Sequence, residues 1–195
     1  DVATIHTRNG RAVSAETVDG QVYEAKEAVI GAIHPHLLGQ IVEGLPPQVR
    51  ADAEATHITP AACITIHAAL NAPLAFRTAD RTDSVMIEML PDNYETLRRS
   101  FDELRYGQFM PYPMLGVGSL TQFDPSRCPP GKAIMHLWDY VPYERADGRS
   151  WDDSKLDYAK RMLQRLSVYV SNVDDVILDK HVDSPVDMER TSPSF

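Results

Sequence analysis

The chain has 195 residues, of which 43% are hydrophobic, and its formal net charge is −9. This length and composition allow one domain or two small domains with a sizeable core. The acidic balance argues against a nucleic-acid partner, because proteins that bind nucleic acid need a basic face. No apolar run in the sequence approaches the ~20 residues that a membrane-spanning helix needs.

Two glycine turns organise the N-terminal stretch. Asn9-Gly10 and Asp19-Gly20 are signals for type I′ hairpin turns, because glycine adopts a positive φ at little cost. Ala28–Ile33 follows and is apolar at nearly every position, which predicts a strand buried on both faces. The two turns divide the residues before it into the strands of a predicted meander, Val2–Arg8, Arg11–Val18 and Gln21–Ala25.

Prolines mark two predicted helices after this stretch. Pro35 suits the first turn of a short helix, and Gly44 is placed to end it. Pro46-Pro47 is predicted to open a second helix that runs to about Ala55. We expect a domain boundary at residues 43–47.

The next part of the chain predicts a new sheet and a helix. Ala62–Leu70 and Val85–Met89 have the composition and alternation of strands. Asp92 and Glu95 form a capping-box-like start to a helix that Gly107 ends. The apolar stripe of this helix has spacings of 3, 4 and 3 and is predicted to pack in the core: Tyr94, Leu97, Phe101 and Leu104.

A proline-rich elbow lies at the centre of the chain. Apolar segments flank Asp124–Gly131, where prolines favour a turn over a strand, so residues 111–139 predict a hairpin. A long helix is predicted from Asp152 to Val170, and a short strand within Asp174–Val182. The predicted buried face of the helix comprises Leu156, Ala159, Leu163, Leu166 and Val170. These elements predict an α+β fold, with a mixed or antiparallel sheet covered by helices.

The sequence carries no recognisable catalytic or metal-binding motif. His34 and His36 are two residues apart, a spacing that directs side chains away from each other on a helix, so we predict no metal site there. There is no GxSxG elbow, P-loop or GxGxxG motif, and no residue is assigned a catalytic role. Cys63 lies in an apolar run, which favours a buried free thiol and a reducing, cytoplasmic setting.

Four segments in order resemble the phytoene-desaturase-like flavin oxidoreductases, the group that includes phytoene dehydrogenases and their pyridine-nucleotide-disulfide-oxidoreductase-domain relatives. They span nearly the whole chain: GRAVSAETVDGQVYEAKEAVIGAIHPHLL, ITIHAALNAPLAF, DPSRCPPGKAIMHLW and SPVDMERT. The family's glycine-rich ADP-binding motif has no counterpart in this sequence. Because the chain also starts at Asp1 without a methionine, we expect a processed or truncated product, the middle and substrate-domain part of a longer enzyme.

The resemblance implies a division of the chain into three parts. Residues 1–43 would be a partial flavin-domain segment, formed by the meander, the buried strand and a helix. Residues 44–183 would form the substrate-binding domain, and residues 184–195 would begin the return to the flavin domain. FAD would be bound in the full-length parent, and none is expected on this chain alone, since a helix N-terminus and glycine turn hold the pyrophosphate in such enzymes.

The resemblance also suggests which residues lie near the cofactor and substrate. The residues expected beside the flavin of the parent enzyme are Ala32, Ile33, His34 and Pro35. The residues expected to wall the substrate cavity are His67, Met114, Val117, His136 and Trp138. For these, ordinary packing in the core is the alternative.

Two functional interpretations remain open from the sequence. The first is the substrate-binding portion of an FAD-dependent oxidoreductase or desaturase acting on an apolar, carotenoid-like or lipid-like substrate, inactive as this chain alone. The second is a stand-alone α+β binding module without redox activity. In the first case the partners would be the apolar substrate and the remainder of the flavin domain. An exposed apolar surface around Val29–Ile33 would then favour a homodimer, and a lipid substrate would bring the protein to a membrane surface.

Overall fold

A computed structural model describes residues 1–59, 61–78 and 84–192. These residues form both helices and antiparallel sheets, so the predicted α+β class is confirmed. The chain divides into two compact units, one covering Asp1–Ile58 with the C-terminal end from Ser192, and the other covering Thr59–Thr191. This division falls after Ile58, later than the boundary expected at residues 43–47. The last three residues of the predicted 184–195 segment lie outside the described residues.

The first unit contains the predicted meander. Its antiparallel strands are β1 (Val2–Arg8), β2 (Arg11–Thr17) and β3 (Val22–Glu24). Asn9 and Gly10 both have positive φ, as the predicted turn requires. A 3₁₀ turn and two helices follow: Pro35–Leu37, α1 (Leu38–Ile41) and α2 (Pro47–Glu54).

His6 connects the meander to the segment after α1. Its Nδ1 lies 2.8 Å from the carboxylate of Glu43, and its Nε2 lies 2.8 Å from the carboxylate of Glu16. The hydrogen bond with Glu43 is the largest cause of a raised His6 pKa, and the bond with Glu16 adds to it. The protonated imidazole can therefore serve both carboxylates at once.

Ala28–Ile33 is not the buried strand that its composition suggested. None of these residues lies in a strand, and the Ile30 side chain is 93% exposed. A strand buried on both faces needs neighbouring strands and layers that cover both faces, and the described meander pairs β1, β2 and β3 with one another and Ile5 with Val42, with no pairing to Ala28–Ile33. The prediction was wrong for the isolated run, because an apolar composition does not supply a partner.

The second unit is built on a five-stranded antiparallel sheet with the order β5-β6-β7-β4-β8. The strands are β4 (Ala61–Leu70), β5 (Met86–Glu88), β6 (Gly116–Gly118), β7 (Ala133–Pro142) and β8 (Ile177–Asp183). The central pair, β4 and β7, is aligned over ten consecutive residue pairs. β6 and β7 form the predicted hairpin, and two short 3₁₀ helices fill its elbow, Leu120–Gln122 and Pro125–Arg127.

Helices cover this sheet unequally. They are α3 (Tyr94–Arg105), α4 (Trp151–Leu166), α5 (Val173–Val176) and α6 (Pro185–Thr191). One sheet face packs against α4, and Ile66, Leu137 and Met162 are fully buried between them. Among the described residues, no helix is long and apolar enough to cross a bilayer.

Two helices bury only part of the faces that were predicted, and they also bury residues that were not predicted. In α3 the cap is Asn93, whose side chain accepts from the Thr96 N–H, and not Asp92. Tyr94 is 71% exposed and Phe101 is also exposed, so only part of the predicted stripe is core. In α4 Leu156 is 67% exposed, whereas Ala159 and Leu166 are buried as predicted, and Val170 beyond the helix is buried too. The buried face of α4 also includes Trp151, Ser154, Tyr158 and Met162. Periodicity located the helices but not their rotation.

A buried carboxyl group connects β7 with α4. Asp139 lies on the packed face of β7 and accepts hydrogen bonds from the Tyr158 hydroxyl (2.7 Å) and the Met114 N–H (2.9 Å). Burial raises the pKa of Asp139 to about 6, although these hydrogen bonds act in the opposite direction. Burial also raises the pKa of the Tyr158 hydroxyl, as does the neighbouring Asp139.

A second carboxylate holds α6 against α4. The Asp187 carboxylate accepts from the Ser184 N–H (2.9 Å) and from Lys155 Nζ of α4 (2.8 Å). Burial raises the pKa of Asp187, but the bonds from Lys155 and Ser184 outweigh it and lower the pKa to about 2. The SPVDMERT segment thus forms α6 with Ser184 before it, and Asp187 connects the first turn of this helix to α4.

The Asp139→Asn variant should lose a pH dependence that the wild-type protein has. Folded Asp139 keeps its proton up to a pH of about 6, whereas an unperturbed Asp side chain loses it near 3.8. The free energy of unfolding should therefore fall as the pH rises from about 4 to about 6, by on the order of 3 kcal/mol. The Asn amide can still accept from Met114 and donate to Tyr158, so the fold should be retained.

Urea unfolding at several pH values measures this dependence, because both tryptophans, Trp138 and Trp151, lie in the second unit and report on it. Asp157→Asn is the control, since the Asp157 side chain is 81% exposed. The control should follow the wild type. An Asp139→Asn variant with the wild-type slope between pH 4 and 6 would contradict the prediction.

Candidate functional site

The sheet face opposite the α4 core is the candidate site, and we call it the open face. In an antiparallel sheet, directly paired residues point to the same side, so the register assigns its members. Its residues on the central strands are Cys63, Thr65, His67, Ala69, Ile134, His136, Trp138 and Tyr140. Those on the outer strands are Met86, Glu88, Gly116, Gly118, Asp179, His181 and Asp183.

Two histidines stack at the centre of the open face. His67 and His136 are paired across β4 and β7, their ring centroids are 4.6 Å apart, and their planes differ by 8°. Burial lowers the pKa of His136, and the adjacent His67 lowers it further. The stacked rings therefore present a flat imidazole surface, and the lowered pKa of His136 favours its uncharged form at neutral pH.

A carboxylate lies beside this pair on the edge strand β8. Asp183 is 3.0 Å from His181 Nε2 and 4.0 Å from His67 Nε2. Within the part of the chain that the structure describes, no group of three or more His, Cys, Asp or Glu residues is arranged to hold a metal ion. The cluster is better suited to orienting an imidazole than to coordinating a metal.

Trp138 lies flat on β6, and glycine makes this possible. A Cβ atom built on Gly116 would lie 2.2 Å from the Trp138 indole, so no side chain fits there while the ring stays in place. Tyr140 meets the indole edge-on, with ring centroids 5.1 Å apart and an interplanar angle of 88°. Phe101 of α3 contacts Tyr140, so α3 limits the open face at this end.

Two polar groups on the open face have unusual surroundings. Thr65 is buried, and among the described residues its hydroxyl oxygen has no hydrogen-bond partner. Unpaired buried hydroxyl groups are costly to the fold. Burial raises the pKa of the Cys63 thiol, and the nearby Asp139 adds to this. Cys63 is a free thiol, as predicted, but it is half-buried and poorly suited to act as a nucleophile.

The structure separates the five predicted substrate-wall residues into two groups. His67, His136 and Trp138 lie together on the open face. Val117 is fully buried in the main core, and Met114 is buried in a small cluster with Leu104 and Met110. Reasoning from sequence missed Thr65, Tyr140 and Gly116, although strand alternation from His67 and Trp138 places Thr65 and Tyr140 on their side.

The predicted cofactor contacts lie in the first unit. Ala32 and Pro35 are exposed, and Ile33 and His34 are half-buried. His34 is the cap of the Pro35–Leu37 turn, and its Nδ1 lies 2.5 Å from Nδ1 of His36. The expectation that these two rings point apart was wrong, because His34 precedes the turn and does not have helical backbone angles.

Comparison with known proteins gives a fold likeness and a distant sequence relationship. No family model matches the chain. The chain is 27% identical to the mouse pyridine nucleotide-disulfide oxidoreductase domain-containing protein 2 over 96 residues, which are 48% of this chain and 16% of that protein.

Two solved structures share its fold over nearly its whole length. An oxidoreductase from Methanosarcina mazei gives a TM-score of 0.53 at 18% identity, covering 93% of this chain and 36% of that one. Reduced UDP-galactopyranose mutase gives a TM-score of 0.57 at 9% identity, covering 94% of this chain and 33% of that one. The chain thus spans about a third of the length of these solved proteins and has the fold of the corresponding part.

Gly116→Ala should disturb the open face, whereas Gly118→Ala should not. The new methyl group at position 116 would overlap the Trp138 indole, so the ring must move, at a cost of about 1–3 kcal/mol of unfolding free energy. At position 118 the nearest atoms are 3.6 Å from the new Cβ, an ordinary contact, so the change should stay within about 0.5 kcal/mol.

Tryptophan emission and urea unfolding of the two variants test this difference. Gly116→Ala should shift the emission of the folded protein, and Gly118→Ala should leave it as in the wild type. Equal effects of the two substitutions would show that the indole does not lie on β6 as described.

Proposed function

We propose that this chain forms the substrate side of an FAD-dependent oxidoreductase that acts on an apolar, carotenoid-like or lipid-like substrate. The observation that carries the proposal is the open face, a sheet surface with flat aromatic and imidazole side chains opposite a well-packed core. The fold shared with part of the Methanosarcina mazei oxidoreductase supports it. So does the distant relationship to the mouse protein named for a pyridine nucleotide-disulfide oxidoreductase domain.

The substrate wall in this proposal consists of residues that a ligand can reach. Trp138 and the His67–His136 stack offer flat π surfaces, against which an extended unsaturated chain can pack. Met114 and Val117 are buried, so they would support the wall from behind and not touch the substrate.

The residues present do not fit FAD as a complete binding site. The sequence contains no GxGxxG motif, and the turn at Pro35–Leu37 is too short to provide the helix N-terminus that holds a pyrophosphate. In this proposal the flavin is bound mainly by another part of the enzyme, and Ala32–Pro35 would contribute only at its edge. The chain alone would then be redox-inactive, and its own task is to bind and orient the substrate.

In the same proposal, the exposed apolar segment Ala28–Ile33 is a contact surface for another part of the enzyme. Ile30 presents most of its side chain to solvent, a large cost for an isoleucine unless another surface covers it. We propose that the remainder of the flavin domain is this cover. Without it, two copies of this chain would associate through the same segment.

A flavin titration of this chain beside a version extended at both termini tests the proposal. The extended protein should turn yellow, with a bound-flavin band near ~450 nm, because it would supply the glycine-rich pyrophosphate site. The shorter chain should stay colourless at the same FAD concentration.

Light scattering of the same two preparations is the accompanying control. The shorter chain should self-associate, and Ile30→Lys should reduce this association, whereas the extended protein should be independent of the substitution. Tight flavin binding by the shorter chain would refute the division of roles proposed here. Absence of flavin from both proteins would favour a binding module without redox activity.

A further inference from the structure

A cavity in the second unit is lined by one residue of the open face, Ile134, but by none of the residues assigned to the substrate wall above. It lies at the end of the sheet where β7 begins, between the segment that follows β4 and the elbow that follows β6, and its volume is about 330 Å³. This is within the range of small-molecule sites, roughly 300–1,000 Å³. All the described residues that line it belong to the second unit.

One wall of the cavity is apolar. Leu74, Phe76 and Ile134 line it, and all three are half-buried. Leu74 and Phe76 pack against the main core, and Phe76 also forms a β-bridge with Val170. This wall is therefore supported by the core and is suited to an apolar ligand group.

The other wall is polar and carries one positive charge. Lys132, Ser119 and Thr121 line it, and none of the described lining residues is Asp or Glu. The ammonium group of Lys132 donates one hydrogen bond, to the side-chain oxygen of Asn71. An ammonium group has three N–H donors, so two of them are left for a ligand. The chain has a net charge of −9, but no described residue that lines the cavity is Asp or Glu. The positive charge of Lys132 therefore favours an anionic ligand at this place.

We propose that this cavity binds a small amphipathic monocarboxylate. Its hydrocarbon part would pack on Leu74, Phe76 and Ile134, and its carboxylate would accept hydrogen bonds from Lys132 and from the Ser119 or Thr121 hydroxyl. The presence of one positive charge together with apolar lining residues matches such a molecule better than it matches a purely apolar ligand or inorganic phosphate. This site does not depend on the flavin, and it goes beyond the proposed oxidoreductase function.

An NMR titration of the ¹⁵N-labelled 195-residue chain with octanoate at neutral pH tests the proposal. Octanamide, which has the same chain length and no charge, is the comparison ligand. Octanoate should bind more tightly than octanamide and shift the amide signals of the cavity residues. Lys132→Gln should weaken octanoate binding about tenfold, the loss expected for one charge-assisted hydrogen bond, and leave octanamide binding unchanged.

Two further variants make the test specific. Lys132→Arg keeps the charge and should bind octanoate within a few-fold of the wild type. Lys180→Gln removes an exposed lysine from β8, outside the cavity, and should bind like the wild type. Octanoate binding that equals octanamide binding, or that survives Lys132→Gln, would overturn the proposal. Because no flavin is added, this result does not depend on whether the chain belongs to a flavoenzyme.

Discussion

The pairing of β4 with β7 is the constraint on which the second unit depends. Ten residue pairs fix which side chains of the two longest strands point toward α4 and which point away. A slip of β7 by one residue against β4 would move Leu137 to the open face and Trp138 into the core. The register that places the hydrophobic residues in the core therefore also places the residues of the candidate site on the open face.

Asp139 is the exception on the packed face, and it explains how the helix layer is positioned. A buried carboxyl group needs partners, and Tyr158 of α4 and the backbone at Met114 supply them. These bonds fix α4 and the segment before β6 relative to β7. The Met114 segment leads into Gly116, on which the Trp138 indole lies. A polar contact in the core thus supports the aromatic surface on the opposite side of the sheet.

The parts of the fold that depend on local chemistry were predictable from the sequence. Asn9-Gly10 required a tight turn, and the prolines between Asp124 and Gly131 excluded a strand. Alternation identified β4, and an apolar run after the elbow identified β7. The rotation of α4 was not predictable, because its buried face includes Tyr158, whose hydroxyl is satisfied by an aspartate from another element. The prediction of a buried strand at Ala28–Ile33 was wrong for a related reason, because burial depends on a packing partner that composition does not reveal.

In the candidate site too, some features follow from local sequence and others depend on contacts between distant parts of the chain. Period-2 alternation puts His67 with Thr65, and His136 with Trp138, on common strand faces, but the stacking of His67 on His136 depends on a register set by both strands. Met114 and Val117 were expected beside them because the family resemblance implies that the strand before the elbow walls the substrate cavity. Both residues are buried. The alternation of side chains along a strand therefore predicts which residues reach the open face better than nearness in sequence does.

The most direct test of the account is a crystal structure of the flavin-loaded, extended protein. The account predicts that the isoalloxazine ring lies across a substrate-sized gap from the open face, with Trp138 and the His67–His136 pair facing that gap. A structure in which the open face is covered by a packed domain without a gap, or points away from the flavin, would contradict it.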